Sequence, residues 1–309
     1  MDLLSIIKYN LFSVMLFFCL TAPLAGKSWD YYYEKGKLQY KTEMYDYARY
    51  NLEKALDLNP SLYQAAALLG HIHRIQNRKL RAIELYERSL SINGRQPDLH
   101  VTAGRLYDFY IEREKAMQHY RAAVAIEPAH IQGNLFLAGH YFRQGMREQA
   151  DRHFRASEKA SEAPASGYIK KAEDAEKKGD KASALILYAQ AIEAGPALVS
   201  ARMGPCRIYR STGDYLKAVR CLENLKQDRP DYVRAYIILG HIYFNRRLPG
   251  KKITHINLAV KNLRQALEIN PSEQEALLKL AEIYEYLGRD SESRELLEKA
   301  SSAESPSLK

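Results

Sequence analysis

The chain is poor in the residues that build stapled, fibrous or disordered proteins. Three cysteines among 309 residues exclude a small scaffold held by a disulfide framework. Sixteen glycines and eleven prolines are too few for a collagen-like or low-complexity chain. The apolar run at 11–25, LFSVMLFFCLTAPLA, is fifteen residues long, short of the roughly 20 that a spanning helix needs. Acidic residues are outnumbered 37 to 46, a net charge of +9. With 46% apolar and 27% charged residues, wholesale disorder is excluded. There is no G-x-x-x-x-G-K-[ST] loop, no H-E-x-x-H and no C-x-x-C pair, so neither a phosphate cradle nor a metal signature is visible. His71 and His73 lie two apart and on a helix point to different sides, which excludes chelation by the pair. No enzyme activity and no cofactor are expected.

What is present begins with a terminal segment. Lys8, the apolar run and the small residues Ala22, Ala25 and Gly26 follow the order of a secretory signal. Residues 1–26 are read as a signal peptide, with an uncleaved anchor at 3–25 as the alternative. An exported, periplasmic or envelope-associated location follows from the first reading and an inner-membrane anchor from the second.

The remainder has a fixed period. Ala48, Ala82, Ala116, Ala150, Ala184 and Ala218 recur every 34 residues, followed by Ala259 after 41 and Ser293 after 34. Twelve residues before them stand small residues, among them Gly36, Gly70, Gly104, Ala138, Ala172 and Cys206. Four residues after them stand Leu52, Tyr86, Tyr120, Phe154, Tyr188, Leu222, Leu263 and Leu297. Pro60, Pro128, Pro196, Pro230 and Pro271 close most units. Each unit therefore reads as two amphipathic helices joined by a short turn. One such hairpin cannot bury its apolar face, but a stack of them can.

At these residues the chain resembles the tetratricopeptide repeat (TPR) family. His100, Ala103-Gly104, Tyr107, Ala116, Tyr120, Ala123 and Pro128 follow the family's W-x2-L-G-x2-Y…A-x3-F…A…P pattern except at its Trp and Leu. The resemblance implies an all-α, right-handed solenoid of about eight repeats across 27–303. They are placed at 29–62, 63–96, 97–130, 131–164, 165–198, 199–232, 233–273 and 274–303, with a disordered tail at 304–309. The soft stretch at 162–167 is either a joint between two four-repeat blocks or ordinary packing. Pro205 should kink its helix or delay its start. Seven extra residues before Ala259, carrying Arg246, Arg247, Lys251 and Lys252 around Leu248-Pro249-Gly250, are expected to form a surface loop. Cys206 and Cys221 fall on the two helices of one hairpin, either as a disulfide or as two buried thiols.

In this family the first helix of each repeat lines the groove, which implies a site at set places of the unit. Those places hold Tyr33 and Tyr40, His71 and Arg74, Arg105, Phe142, Arg207 and Arg210, and His241 and Phe244. Basic groups beside an aromatic are the usual composition of a peptide anchor. Place 5 of the repeats reads Tyr33, Ala67, Val101, Leu135, Ile169, Met203, Ile237 and Leu278. None is the Lys that carboxylate-clamping members of the family use there. The expected function is a non-catalytic scaffold or adaptor of the cell envelope that binds a peptide or protein segment, with envelope membrane association as a further expectation. The alternatives are a membrane-anchored assembly factor and a polyanion binder. Nucleic acid is disfavoured, because Glu173, Glu176, Glu282 and Glu285 interrupt the basic groove that such binding needs.

Overall fold

The computed structural model of the protein describes residues 27–245 and 248–303. The expected signal or anchor at 1–26, the tail at 304–309, and Arg246 and Arg247 of the insertion lie outside the described residues.

The described residues form fifteen α-helices and no strand. Contact density divides the chain into two units, 1–99 and 100–309. The first contains α1 (Trp29–Lys41), α2 (Tyr45–Leu58), α3 (Tyr63–Ile75), α4 (Lys79–Ile92) and the start of α5 (Pro97–Phe109). The second holds the rest of α5, α6 (Arg113–Ile126), α7 (Ile131–Arg143), α8 (Arg147–Lys177), α9 (Lys181–Ala194) and α10 (Val199–Ser211). It continues with α11 (Tyr215–Asp228), α12 (Val233–Asn245), α13 (Lys252–Ile269), α14 (Gln274–Tyr286) and α15 (Asp290–Ala303). Within each unit, helices mostly contact their neighbours in sequence, as stacked hairpins do.

The 34-residue pattern explains the hairpins. Ala48, Ala82, Ala116, Ala184, Ala218 and Ala259 are wholly buried, and so are Leu52, Tyr86, Tyr120, Tyr188 and Leu263. Burying each of those larger side chains contributes roughly 1.5–3 kcal/mol. The small residue on the first helix makes room for them. A Cβ on Gly70 would lie 2.4 Å from the Tyr86 ring and 3.3 Å from the Ala82 carbonyl oxygen. The hairpin turn needs one residue in the left-handed region, supplied by Gly145, Gly179, Gly213 and Gly288 and by Glu43, Asn77 and Ile111. Asp180 and Asp214 then cap α9 and α11 by accepting from the backbone N–H of Ser183 and Lys217, at 3.0 and 3.2 Å.

Three local expectations are corrected. Helix α8 is 31 residues long and joins the second helix of repeat four to the first of repeat five. The stretch 162–167 is therefore inside a helix, and the chain has no turn at 164/165. The N-terminal half of α8 packs Ala150 and Phe154 against Leu135 and Ala138 of α7. Its C-terminal half packs Ala172 against Ala184 and Tyr188 of α9. The loop after α9 presses on its middle, where a Cβ on Gly195 would meet the Ser161 carbonyl oxygen at 2.4 Å. A turn there would uncover Ala165, which is fully buried. Helix α10 includes Pro205 and begins at Val199, so its start is not delayed. The residue before a proline is normally driven out of the helical region by its Cβ, and Gly204 has none. Finally, the insertion is only partly a loop. It lengthens α13 to 18 residues, against 14 in α2, α4 and α6. Lys252 at the start of α13 donates to the Tyr286 hydroxyl of the next hairpin, 2.6 Å away.

The cysteine alternatives resolve to a bond. Cys206 on α10 and Cys221 on α11 form a disulfide with Cα atoms 5.4 Å apart, within the ordinary range for such a bridge.

Candidate protein-binding clefts

In three hairpins the large core aromatic is Tyr, not Phe, and a buried phenol needs a partner. Each finds it on the first-helix face. The Tyr86 hydroxyl lies 2.9 Å from His71 Nδ1. Tyr120 donates to Asp108 Oδ2 at 2.7 Å, and Tyr188 donates to Glu176 Oε2 at 3.1 Å. Several groove-face residues are thus tied to the core instead of standing free.

The consequences differ by residue. Burial, with Arg74 nearby, lowers the His71 pKa to about 4, while burial raises that of Tyr86 to about 12. At neutral pH, His71 is an uncharged acceptor and adds nothing to a basic zone. In the unfolded chain a histidine protonates near pH 6.5. Between about pH 6.5 and 4 the unfolded state therefore binds a proton that the folded state refuses, so stability falls as pH falls. Lowering the pH from 7 to 4 should cost about 2 kcal/mol through this residue, less than the full shift implies because the ring is partly exposed. Urea unfolding of wild type and His71→Gln at both pH values checks this. An identical pH dependence in the two proteins would refute it.

Asp108 also takes Nε2–H of His140 at 2.8 Å. Burial raises the Asp108 pKa, but the hydrogen bonds from His140 and Tyr120 outweigh that and hold it below the usual carboxylate value. Arg207 grips Glu176 with two bonds, at 2.8 and 2.6 Å, and reaches Tyr188 at 2.9 Å. The expected acidic interruption at Glu176 is thus neutralised by a member of the basic set. The aromatics separate as well. Phe244 packs edge-on to Tyr286 at 5.6 Å, under the Lys279 ammonium, so it joins neighbouring hairpins. The Phe142 ring is covered by the Arg147 guanidinium at 3.9 Å. Tyr33 and Tyr40 are half-buried against the core of the first unit, whereas Tyr47 and Tyr50 are well exposed.

The second unit carries several clefts. Arg105, Asp108, Ile111, Arg113, Phe136, His140 and Arg143 line one of about 480 Å³, closed on one side by Gln227 and Asp228 at the end of α11. Phe142 does not share it with Arg105. It lines another of about 630 Å³ with Arg143, Arg147, Gln227 and Gln265. Arg207 and Arg210 face a third of about 450 Å³ with Met203, Arg234 and Ile238. Arg210 and Arg234 continue into a fourth of about 330 Å³ that reaches His241 and Glu275. His241 Nε2 is 3.3 Å from Glu275, out of line for a hydrogen bond. Arg105, Arg113, Arg143, Arg210 and Arg234 have no carboxylate within ion-pair distance among the described residues. Sequence reasoning did not mark Arg113, Arg143 or Arg234. No group of three or more histidines, cysteines or carboxylates fit to hold a metal occurs among the described residues. No helix among them is long and apolar enough to cross a membrane.

The tetratricopeptide repeat family profile matches residues 33–98 and 254–307, which supports that family for those stretches. The fold defines a helical-repeat protein. The chain is 22% identical over 246 residues to anaphase-promoting complex subunit 3 of Schizosaccharomyces pombe, covering 77% of this chain and 37% of that protein. It is 26% identical over 253 residues to superkiller complex protein 3 of Mus musculus, covering 78% of this chain and 16% of that protein. The chain thus spans well under half the length of either relative. A tetratricopeptide repeat protein from Parabacteroides merdae, solved by crystallography, is 17% identical with a TM-score of 0.40, covering 91% of this chain and 95% of that one.

Proposed function

We propose that this protein is a non-catalytic scaffold that holds a segment of another protein against the first-helix face of its hairpins. One observation carries the reading: four arginines lining the clefts, Arg105, Arg143, Arg210 and Arg234, have no ion pair among the described residues, although Arg207 beside them holds Glu176. Arg155 and Arg289, by contrast, hold their own carboxylates at the surface. Unpaired guanidiniums beside apolar side chains favour an acidic, partly apolar ligand. We place the protein in the cell envelope, with or without its terminal segment. That reading is supported by the apolar run after Lys8 and by the Cys206–Cys221 bond, which persists in oxidising compartments.

A photo-crosslinking residue at Phe142, and separately at Ile186 on the exposed side of α9, tests the scaffold reading in cells. A protein adduct is expected from Phe142 and from none of the Ile186 samples. Adducts from Ile186 alone would move the binding face to the second helices. Adducts to nucleic acid would replace the reading with the polyanion one.

A further inference from the structure

The 480 Å³ cleft of α5, α7 and the end of α11 has two features that a generic scaffold does not require. The first is its charge. Arg105, Arg113 and Arg143 face it unpaired, and its two carboxylates are already engaged. Asp108 is bonded to Tyr120 and His140, and Asp228 holds Arg202 at 2.5 Å. The cleft is therefore positive toward anything that enters it.

The second is Ile111. It occupies the left-handed turn position at φ 64°, where the other hairpins carry glycine, asparagine or, at Glu43, an unbranched side chain. A β-branched residue is strained in that region, yet the side chain is 74% exposed and rests on no core. Strain retained without packing gain marks a contact made with something else. Phe136, with the Arg105 guanidinium 5.5 Å above its ring, offers a second apolar surface inside the same cleft.

We propose that this cleft seats an acidic segment of a partner protein, its carboxylates on Arg105, Arg113 and Arg143 and one large apolar side chain against Ile111. The proposal rests on the scaffold reading and narrows it to one site and one ligand chemistry. Charge complementarity selects the occupant, and Ile111 distinguishes an acidic peptide from a bare polyanion.

Fluorescein-labelled ten-residue peptides and the full chain provide the test, read by anisotropy. One probe carries four Glu and one Leu, a second replaces the Leu by Gly, and a third replaces each Glu by Gln. A ten-nucleotide single-stranded DNA is the fourth. The Glu/Leu peptide should bind best, and more weakly as salt rises. Arg105→Glu with Arg143→Glu should weaken it at least tenfold. Ile111→Gly should weaken the Leu peptide about tenfold and leave the Gly peptide unchanged. The same substitution should raise Tm by about 2 °C by relieving the turn, which separates lost binding from lost folding. The proposal is overturned if acidic peptides do not bind, if the double charge reversal changes nothing, or if Ile111→Gly affects both Glu peptides equally. Tighter binding of the DNA, insensitive to Ile111→Gly, would make the cleft a polyanion site. Any of these results can stand beside a protein adduct at Phe142, so the scaffold reading survives the loss of this one.

Discussion

Replacing Arg229 by Ala should remove about 3 kcal/mol of stability, the cost of breaking a buried ion cluster. Arg229 is only 7% exposed. Its guanidinium bonds both oxygens of Asp231, at 2.9 and 2.7 Å, and also holds Glu158 of α8. It lies 4.5 Å above the ring of Phe154. Truncation would leave two carboxylates facing each other without their cation and would uncover the ring. The lower part of the expected range applies because Glu158 and Asp231 keep partial access to water and can rehydrate. Glu158→Gln, which keeps the shape and removes one charge, should cost about 1 kcal/mol. Equilibrium urea unfolding measures both. A loss below about 1 kcal/mol for Arg229→Ala would show that the cluster forms without stabilising the fold.

Opening the Cys206–Cys221 bond should cost about 3 kcal/mol, the value expected for a bridge that closes a loop of 15 residues. The bond ties α10 to α11 beside the cleft that contains Arg207 and Arg210. The double substitution Cys206→Ala, Cys221→Ala and added reductant should lower the urea midpoint equally, and reductant should then have no effect on the double variant. Thiol titration of unfolded, unreduced Cys19→Ser protein should find no free thiol. Two free thiols would remove the bridge and this expectation with it.

The hairpins were legible because their determinants are local and periodic. A small residue, an alanine and a large apolar residue at fixed offsets along the chain, as in Gly70, Ala82 and Tyr86, have few other ways to be buried together. The continuity of α8 was not legible. Pro164 and Gly167 are local turn signals, whereas the packing of Gly195 on Ser161 comes from a loop some thirty residues away. In the clefts, the places that resemble the family's groove led to Arg105, Arg207 and Arg210, yet did not reveal which charges were already satisfied. The signal for that was present in Tyr86, Tyr120 and Tyr188, which stand where Phe is usual. Three buried hydroxyls had to find partners, and His71, Asp108 and Glu176 supply them. Ile111 was missed, although the signal was a β-branched residue at a turn position that Gly145, Gly179 and Gly213 fill elsewhere.

Helix α8 has a consequence for how the second unit comes apart. In a repeat array, each turn between hairpins is a seam where one side can melt while the other remains ordered. Between the hairpins of α7 and α9 that seam is missing, because residues 147–177 form one helix whose two halves belong to different cores. Melting one half leaves a long, bare helical stub on the other, so the two hairpins should open as a single cooperative block. Amide exchange along 147–177 should then follow one opening free energy, save for fraying at the ends. Pulled from its termini, the unit should yield there in one extension step larger than that of a lone hairpin.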